Sequence, residues 1–226
     1  EMRVRGILHL SMAFNLLHFF GLFKPKSKLG IDLGTSAIKI VELSQKDGRW
    51  VLENYGTYEL RSRGTTETTN TSIMSLPDAE IAQAIRDIVS VSGMKSRQVV
   101  ASVSSLSTFA TVVEMAYSSE DEIAKTIPFE ARKYIPVPID QVVLDWSIIG
   151  VVDAQGGSAP APTGPTPLGT TVTVEVFLAA VPKDETARYQ RIMKAAGLDL
   201  LALELENSSL VRALLGNDLS LTAIVN

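Results

Sequence analysis

Asp32, Gly34, Thr35, Ser36 and Lys39 lie within eight consecutive residues, Asp32-Leu33-Gly34-Thr35-Ser36-Ala37-Ile38-Lys39. The apolar run Gly30 to Leu33 enters a tight turn rich in hydroxyls, and a second run, Ala37 to Leu43, returns from it. A glycine there lets the backbone come close to a ligand, successive N–H groups can point at an anion, and two hydroxyls add hydrogen bonds. Asp32 is suited to orient water on Mg²⁺. Lys39 offers a point charge to a β- or γ-phosphate. The spacing is neither the Walker pattern nor GxGxxG. An ordinary hairpin whose turn binds nothing has the same local pattern, so the elements around it must decide.

The 226 residues are 46% hydrophobic and 20% charged, an ordinary globular composition with room for one or two cores. A net charge of -4 argues against a general nucleic-acid binder. The first 28 residues run the other way, with Arg3, Arg5, Lys24, Lys26 and Lys28 against Glu1. The absence of cysteine removes disulfides and thiolate metal sites and suits a reducing cytoplasm. Both histidines, His9 and His18, lie in the leader, so the body has no histidine chemistry.

That leader, residues 1–28, contains the apolar run Ile7 to Phe23, interrupted by His9, Ser11, Asn15 and His18. It is too short and too polar for a spanning helix, and it has no signal-peptide cleavage pattern. Its spacing suits an amphipathic segment with Phe14, Leu17 and Phe20 on the apolar side, and peripheral membrane association is expected through residues 13–28. Met12 is a candidate natural start, which would leave residues 1–11 without a functional role.

The body reads as alternating strands and helices. Residues 29–33, 37–43 and 50–60 form a meander, with Lys46-Asp47-Gly48 as the second turn. A polar loop at 61–75 leads to a helix from Pro77 to Ser92 with Ile81, Ile85, Ile88 and Val89 on one face and Gly93 past its end. Gln98 to Val103 is a buried strand. The next unit, residues 107–181, has a different order: strand 109–116, a helix opened by the capping box Ser119 to Glu122, and strands 142–152 and 171–181. Its helix is expected to bury Ile123, Ile127, Ala131 and Tyr134 and to kink at Pro128. Residues 153–169, rich in Gly, Ala, Pro and Thr, are expected to be a disordered hairpin tip. After this unit come a helix at 183–196 stopped by Gly197, a strand at 198–205, and a helix capped by Asn207 that carries Leu210, Val211 and Leu214 and ends at Gly216. A final strand at 219–225 ends without a following turn, which predicts a fragment.

This order resembles the actin-like ATPases that carry an inserted strand-helix-strand-strand unit, among which FtsA is one branch. The runs Phe129-Glu130-Ala131-Arg132-Lys133-Tyr134-Ile135-Pro136-Val137-Pro138, Asp145-Trp146 and Ala195-Ala196-Gly197-Leu198 resemble the type IV pilus assembly protein PilM family more closely. So does Leu22-Phe23-Lys24-Pro25-Lys26 ahead of the phosphate turn. The resemblance implies an α/β chain with the ribonuclease H-like first lobe of an actin-like ATPase. Residues 29–106 and 182–226 would form its subdomain 1A, residues 107–181 an SHS2-type subdomain 1C, and the second lobe would be missing. It also implies a cytoplasmic protein peripheral to the inner membrane that binds ATP with Mg²⁺ and docks the N-terminal cytoplasmic tail of the inner-membrane protein PilN, within the pilus assembly complex.

Onto this chain the resemblance carries Asp32 as the metal-water acid, Gly34, Thr35 and Ser36 as the first phosphate turn, and Lys39 as the phosphate charge. The PilN groove would involve the segments near 107–116 and 171–181. No residue reads as a general base for water attack, and Glu206 at a strand end reads as solvated, so nucleotide binding is expected over efficient hydrolysis. Two other readings share the phosphate turn: a division filament protein of the FtsA branch, and an actin-fold kinase or chaperone-type ATPase.

Overall fold

The computed structural model describes residues 27–60, 72–117, 119–152, 158–159 and 172–215. They fall into two compact units, one spanning 107–183 and the other formed by the described residues before 107 and after 183. The expectations for the leader, the 61–71 part of the polar loop, Gly216 and the strand at 219–225 lie outside the described residues.

The larger unit is built on a five-stranded sheet. Its strands are β1 (Ser27–Leu33), β2 (Ala37–Lys46), β3 (Arg49–Glu59), β4 (Gln98–Val103) and β9 (Asp199–Leu205), in the order β3-β2-β1-β4-β9. β1 pairs antiparallel with β2 and parallel with β4, and β4 pairs parallel with β9. Asp47 and Gly48, both with positive φ, turn β2 into β3. This is the two-residue hairpin that the Asp-Gly pair predicts. β1 begins two residues earlier than the periodicity indicates, because Ser27 and Lys28 continue the ladder to Ser44 and Leu43.

Side chains alternate across the sheet, so Leu29, Ile31, Leu33, Ile38, Ile40, Val99, Ala101, Val103, Leu203 and Leu205 are buried on one face. The helix α1 (Asp78–Val91) lies on that face with Ile81, Ile85, Ile88 and Val89 buried, as its spacing predicts. Gly56 of β3, opposite Ile40, marks the contact: a Cβ there would sit 2.5 Å from Ile88 Cγ2 and 2.6 Å from Ser92 Oγ. α3 (Lys183–Ala195) lies on the same side as α1, where the Arg86 guanidinium donates to the Ala195 carbonyl at 2.5 Å. Arg188 joins the two regions. It donates to Asp78 Oδ1 at 2.8 Å, to the Met74 carbonyl at 2.6 Å and to the Leu76 carbonyl at 2.9 Å. Asp78 is held below its ordinary pKa by that guanidinium. Both helices close with a positive-φ glycine: Met94 N–H reaches the Val89 carbonyl and Leu198 N–H reaches the Met193 carbonyl across Gly93 and Gly197.

One buried carboxylate ties the far end of this sheet. Glu42, 2% exposed, accepts from Ser27 Oγ at 2.7 Å, Asn54 Nδ2 at 2.8 Å and the Ser96 N–H at 2.9 Å. These donors come from β1, β3 and the approach to β4. Burial pushes the Glu42 pKa up, and the donors together outweigh it, so the group sits below its ordinary value.

The last helix of this unit departs from expectation. α4 spans Glu206–Leu214 with Leu205 at its N-cap, so Asn207 lies inside the first turn and is not the cap. The chain enters helical conformation directly from β9, two residues too early for that side chain to cap. Of the expected face Leu210 is half-buried while Val211 and Leu214 are exposed, and Ser208 takes the buried place.

The smaller unit is an antiparallel sheet of β5 (Phe109–Tyr117), β6 (Val142–Val152), β7 (Ser158–Ala159) and β8 (Val172–Pro182), in the order β5-β8-β6-β7. Helix α2 (Glu120–Ala131) begins where Ser119 Oγ accepts the Glu122 N–H at 3.3 Å. Ile123, Ile127 and Ala131 enter a core with Val113, Met115, Val174, Val176 and Leu178. Tyr134 does not follow them. After Ala131 the chain tightens, with Lys133 and Tyr134 N–H groups bonding three residues back, and this change of phase turns Ile135 inward and leaves Tyr134 exposed. α2 continues through Pro128, whose missing N–H leaves the Ala124 carbonyl without an i+4 donor, and stops three residues later. Within the stretch expected to be a disordered tip, Ser158 and Ala159 pair with Val152 and Val151, and its other residues lie outside the described set.

Two substitutions test this framework. Gly56→Val is expected to lower unfolding stability by about 1–3 kcal/mol in urea titration, because the new side chain meets α1. Unchanged stability would contradict the close helix approach. Glu42→Gln is expected to cost about 2–4 kcal/mol, since an amide nitrogen then faces donors. The contribution of a depressed carboxylate is complete above its ordinary value of 4.5 and is lost as pH falls through the lower folded value. Stability of the parent should therefore fall over that acidic range more steeply than that of the variant, and parallel profiles would refute the role.

Candidate functional site

The predicted phosphate turn occupies the end of the central strand. Asp32 pairs with Lys39 of β2 on one side and with Ser102 of β4 on the other, so all three side chains stand on the sheet face opposite α1 and α3. Lys39 Nζ lies 3.6 Å from Asp32 Oδ2, and Ser102 Oγ donates to Asp32 Oδ1 at 2.7 Å. Both partners of the ion pair are solvent-accessible, so water can reach the carboxylate.

The same level continues across the sheet. Ser102 pairs with Glu204 of β9, and Glu204 accepts from Ser209 Oγ at 2.8 Å and from the Arg212 guanidinium, both on α4. Lys39, Asp32, Ser102 and Glu204 thus form a transverse polar row over four strands, closed at one end by Arg212. Reading the chain for motifs found Asp32 and Lys39 and missed Ser102, Glu204 and Arg212, because only register brings residues so far apart in sequence to one level. A hint was present: Ser102 and Glu204 interrupt runs that are otherwise apolar after Gln98 and Asp199.

The turn itself is anchored through its carbonyls. Leu60 N–H donates to the Ser36 carbonyl and Ile73 N–H to the Thr35 carbonyl, each at 2.9 Å. The Gly34 N–H is engaged by the Ala37 carbonyl at 3.0 Å, so its amide is spent within the hairpin and only the space left by its missing side chain is open to a ligand. A Cβ on Gly34 would stand 3.0 Å from that carbonyl and 3.7 Å from Asp32 Oδ2, closing the approach to the carboxylate. Thr35 and Ser36 are exposed at the tip. The structure therefore brings together all five residues singled out from the sequence. They fit a phosphate with a hydrated cation: an open glycine cradle, two hydroxyls, a carboxylate that water can reach, and an ammonium group.

Behind the row, α3 buries Tyr189 completely, and burial raises its phenol well above the usual tyrosine range, so it stays neutral. Among the described residues no group of three or more His, Cys, Asp or Glu side chains is placed to hold a metal directly. No described helix is long and apolar enough to cross a membrane.

In the smaller unit a cavity of about 210 Å³ opens beside the edge strand β5, lined by Thr108, Phe109, Ala110, Thr111, Tyr134, Ile135 and Leu178. It falls on the segments expected to take a partner peptide. Phe129 and Tyr134 are exposed nearby in sequence, and the Arg132 guanidinium lies 5.5 Å from the Phe129 ring centre.

Comparison with solved structures finds the same fold in a PilM–PilN type IV pilus biogenesis complex, with a TM-score of 0.63 and 22% identity over 84% of this chain and 51% of that one. The chain thus spans about half the length of that relative. The cytoplasmic domain of EpsL, an inner-membrane component of the type II secretion system of Vibrio cholerae, matches at a TM-score of 0.48 and 13% identity, covering 79% of this chain and 57% of that one. The described residues form the mixed α/β arrangement that the resemblance implies, and the fold is shared with that PilM chain. The family model described as type IV pilus assembly protein PilM matches residues 30–221, and the chain belongs to that family.

Proposed function

We propose that this chain serves type IV pilus assembly as a cytoplasmic ATP-binding scaffold at the inner membrane, docking the N-terminal tail of a PilN-like protein. The observation that carries the nucleotide part is the meeting of Asp32, Lys39 and the open Gly34 cradle at one strand end. In this reading Asp32 orients water on Mg²⁺, Thr35 and Ser36 donate hydroxyls to phosphate oxygens, and Lys39 leaves its contact with Asp32 to meet the β- or γ-phosphate. ATP with Mg²⁺ supplies the anionic charge that rewards this exchange. Ser102 holds Asp32 in one orientation through its hydrogen bond. The output is a change of conformation seen by a partner, with binding more important than turnover.

The smaller unit is, in the same reading, an SHS2-type module. Its cavity beside Phe109 and Tyr134 is the docking place for an extended tail, with apolar walls for side chains and an edge strand for backbone pairing. The family match and the fold shared with a PilM chain support this assignment.

Titration calorimetry of the full-length protein with Mg-ATP is expected to show Asp32→Ala and Lys39→Ala each weakening binding by about tenfold or more. Parent-like affinity in both variants would overturn the cradle. For the partner, a peptide copied from the cytoplasmic tail of a PilN-like neighbour is expected to bind the parent and to bind Ala110→Arg or Tyr134→Ala roughly tenfold more weakly. Equal binding by all three proteins would move the docking site elsewhere, and no binding by the parent would defeat the partner assignment.

A further inference from the structure

β9 carries one residue more than β4 where the two strands pair. Val99 stands opposite Leu200 and Val100 opposite Ala202, so Leu201 is the extra residue. In an unbroken ladder Ser102 would face Leu203, and Glu204 would pair with Val103, which is buried on the core face. The bulge reverses the alternation and sends Glu204 to the face that carries Ser102 and Asp32. A local irregularity thus brings a second carboxylate to the level of the phosphate turn, near the carboxyl ends of the parallel strands, where open α/β sheets take their ligands.

Glu204 stands two strand spacings, roughly 10 Å, from Asp32. Its side chain is 25% exposed, and Oε2 accepts from both Ser209 Oγ, at 2.8 Å, and the Arg212 guanidinium. Both donors belong to α4, which lies against β9 and β4. A separation of about 10 Å is close to one Debye length at about 0.1 M salt, so an anion held at the turn still feels a charge on Glu204. A bare carboxylate there would repel phosphates, and Arg212 cancels it. From Lys39 to Arg212 the row reads cation, carboxylate, hydroxyl, carboxylate, cation. The two ends differ in mobility of origin: Lys39 belongs to the hairpin that makes the turn, whereas Arg212 is carried in by a helix.

We propose that Glu204 and Arg212 set the affinity of this site for polyphosphate, a role that rests on the nucleotide reading of the turn. Glu204 supplies a repulsive charge within range of the phosphates, and Arg212 neutralises it from α4. Affinity then depends on where α4 sits, because Arg212 leaves with the helix while Glu204 stays in the sheet. By linkage, bound nucleotide favours the seated helix.

Titration calorimetry of the full-length protein with Mg-ATP, at about 0.05 M and about 0.5 M salt, tests the pair. At low salt Arg212→Met is expected to weaken binding by roughly three- to tenfold, and Glu204→Gln to tighten it by a similar factor, since the first bares a negative charge and the second a positive one. The double variant should bind within about twofold of the parent, and the single effects should shrink at high salt. Glu204→Gln keeps the side-chain length and an oxygen for Ser209, so its sign decides even where Arg212→Met disturbs α4. A pair that only fastens the helix gives another pattern: both single changes weaken binding, the double change is no better, and salt leaves the differences unaltered. That pattern would overturn the proposal. Parent-like affinity in all three variants, with Asp32→Ala still impaired, would also overturn it and leave the phosphate turn standing. Absence of binding by the parent would defeat the nucleotide reading and the pair together.

Discussion

Pairing on both edges of β1 is the constraint on which the rest of the larger unit depends. Antiparallel β2 and parallel β4 fix one register, and alternation then sends Leu29, Ile31 and Leu33 into the core and Gly30 and Asp32 to the opposite face. A slip of one residue would bury Asp32 and expose Ile31, so the hydrophobic pattern itself holds the carboxylate at the site. The same register brings Glu42 level with Leu29, where a buried carboxylate can collect donors from three directions. Removing water from that group is costly, and its hydrogen bonds offset the cost only if β1, β3 and the Lys95–Ser96 segment all arrive together. The core decides the site at one end of the strand, and the carboxylate checks the pairing at the other.

Much of this fold was legible because its signals are local. Asp47-Gly48, Gly93, Gly197 and the Ser119 capping box each state a backbone conformation that only certain residues adopt easily, and each stands where the sequence places it. Helix faces with close apolar spacing, such as Ile81, Ile85 and Ile88, were equally plain. Failures occurred where the local signal was shared. Tyr134 lay at correct helical spacing, yet the turn after Ala131 changed the phase, and Ile135 took the buried place. Asn207 is a good capping residue, but β9 runs into α4 before the chain reaches it.

The site divides along the same line. Asp32 to Lys39 is a contiguous string joined by one turn, so its members must meet, and they do. Ser102 and Glu204 come from strands separated by the whole smaller unit, and no spacing rule links them to Asp32. Pairing in the sheet brings them to one level, and the Arg212 contact follows only because α4 folds back over β9 and β4. The bulge in β9 is similarly silent in the sequence, since Leu200, Leu201 and Ala202 read as ordinary strand residues until the ladder shifts.

The carbonyls of Thr35 and Ser36 accept the N–H groups of Ile73 and Leu60, so the connection between β3 and α1 starts and finishes on the same two peptide units. Arg188 then fastens the far end through the Met74 and Leu76 carbonyls. Leu60 and Ile73 are therefore the two positions through which a backbone shift at the end of β3 or ahead of α1 reaches the turn that carries Thr35 and Ser36.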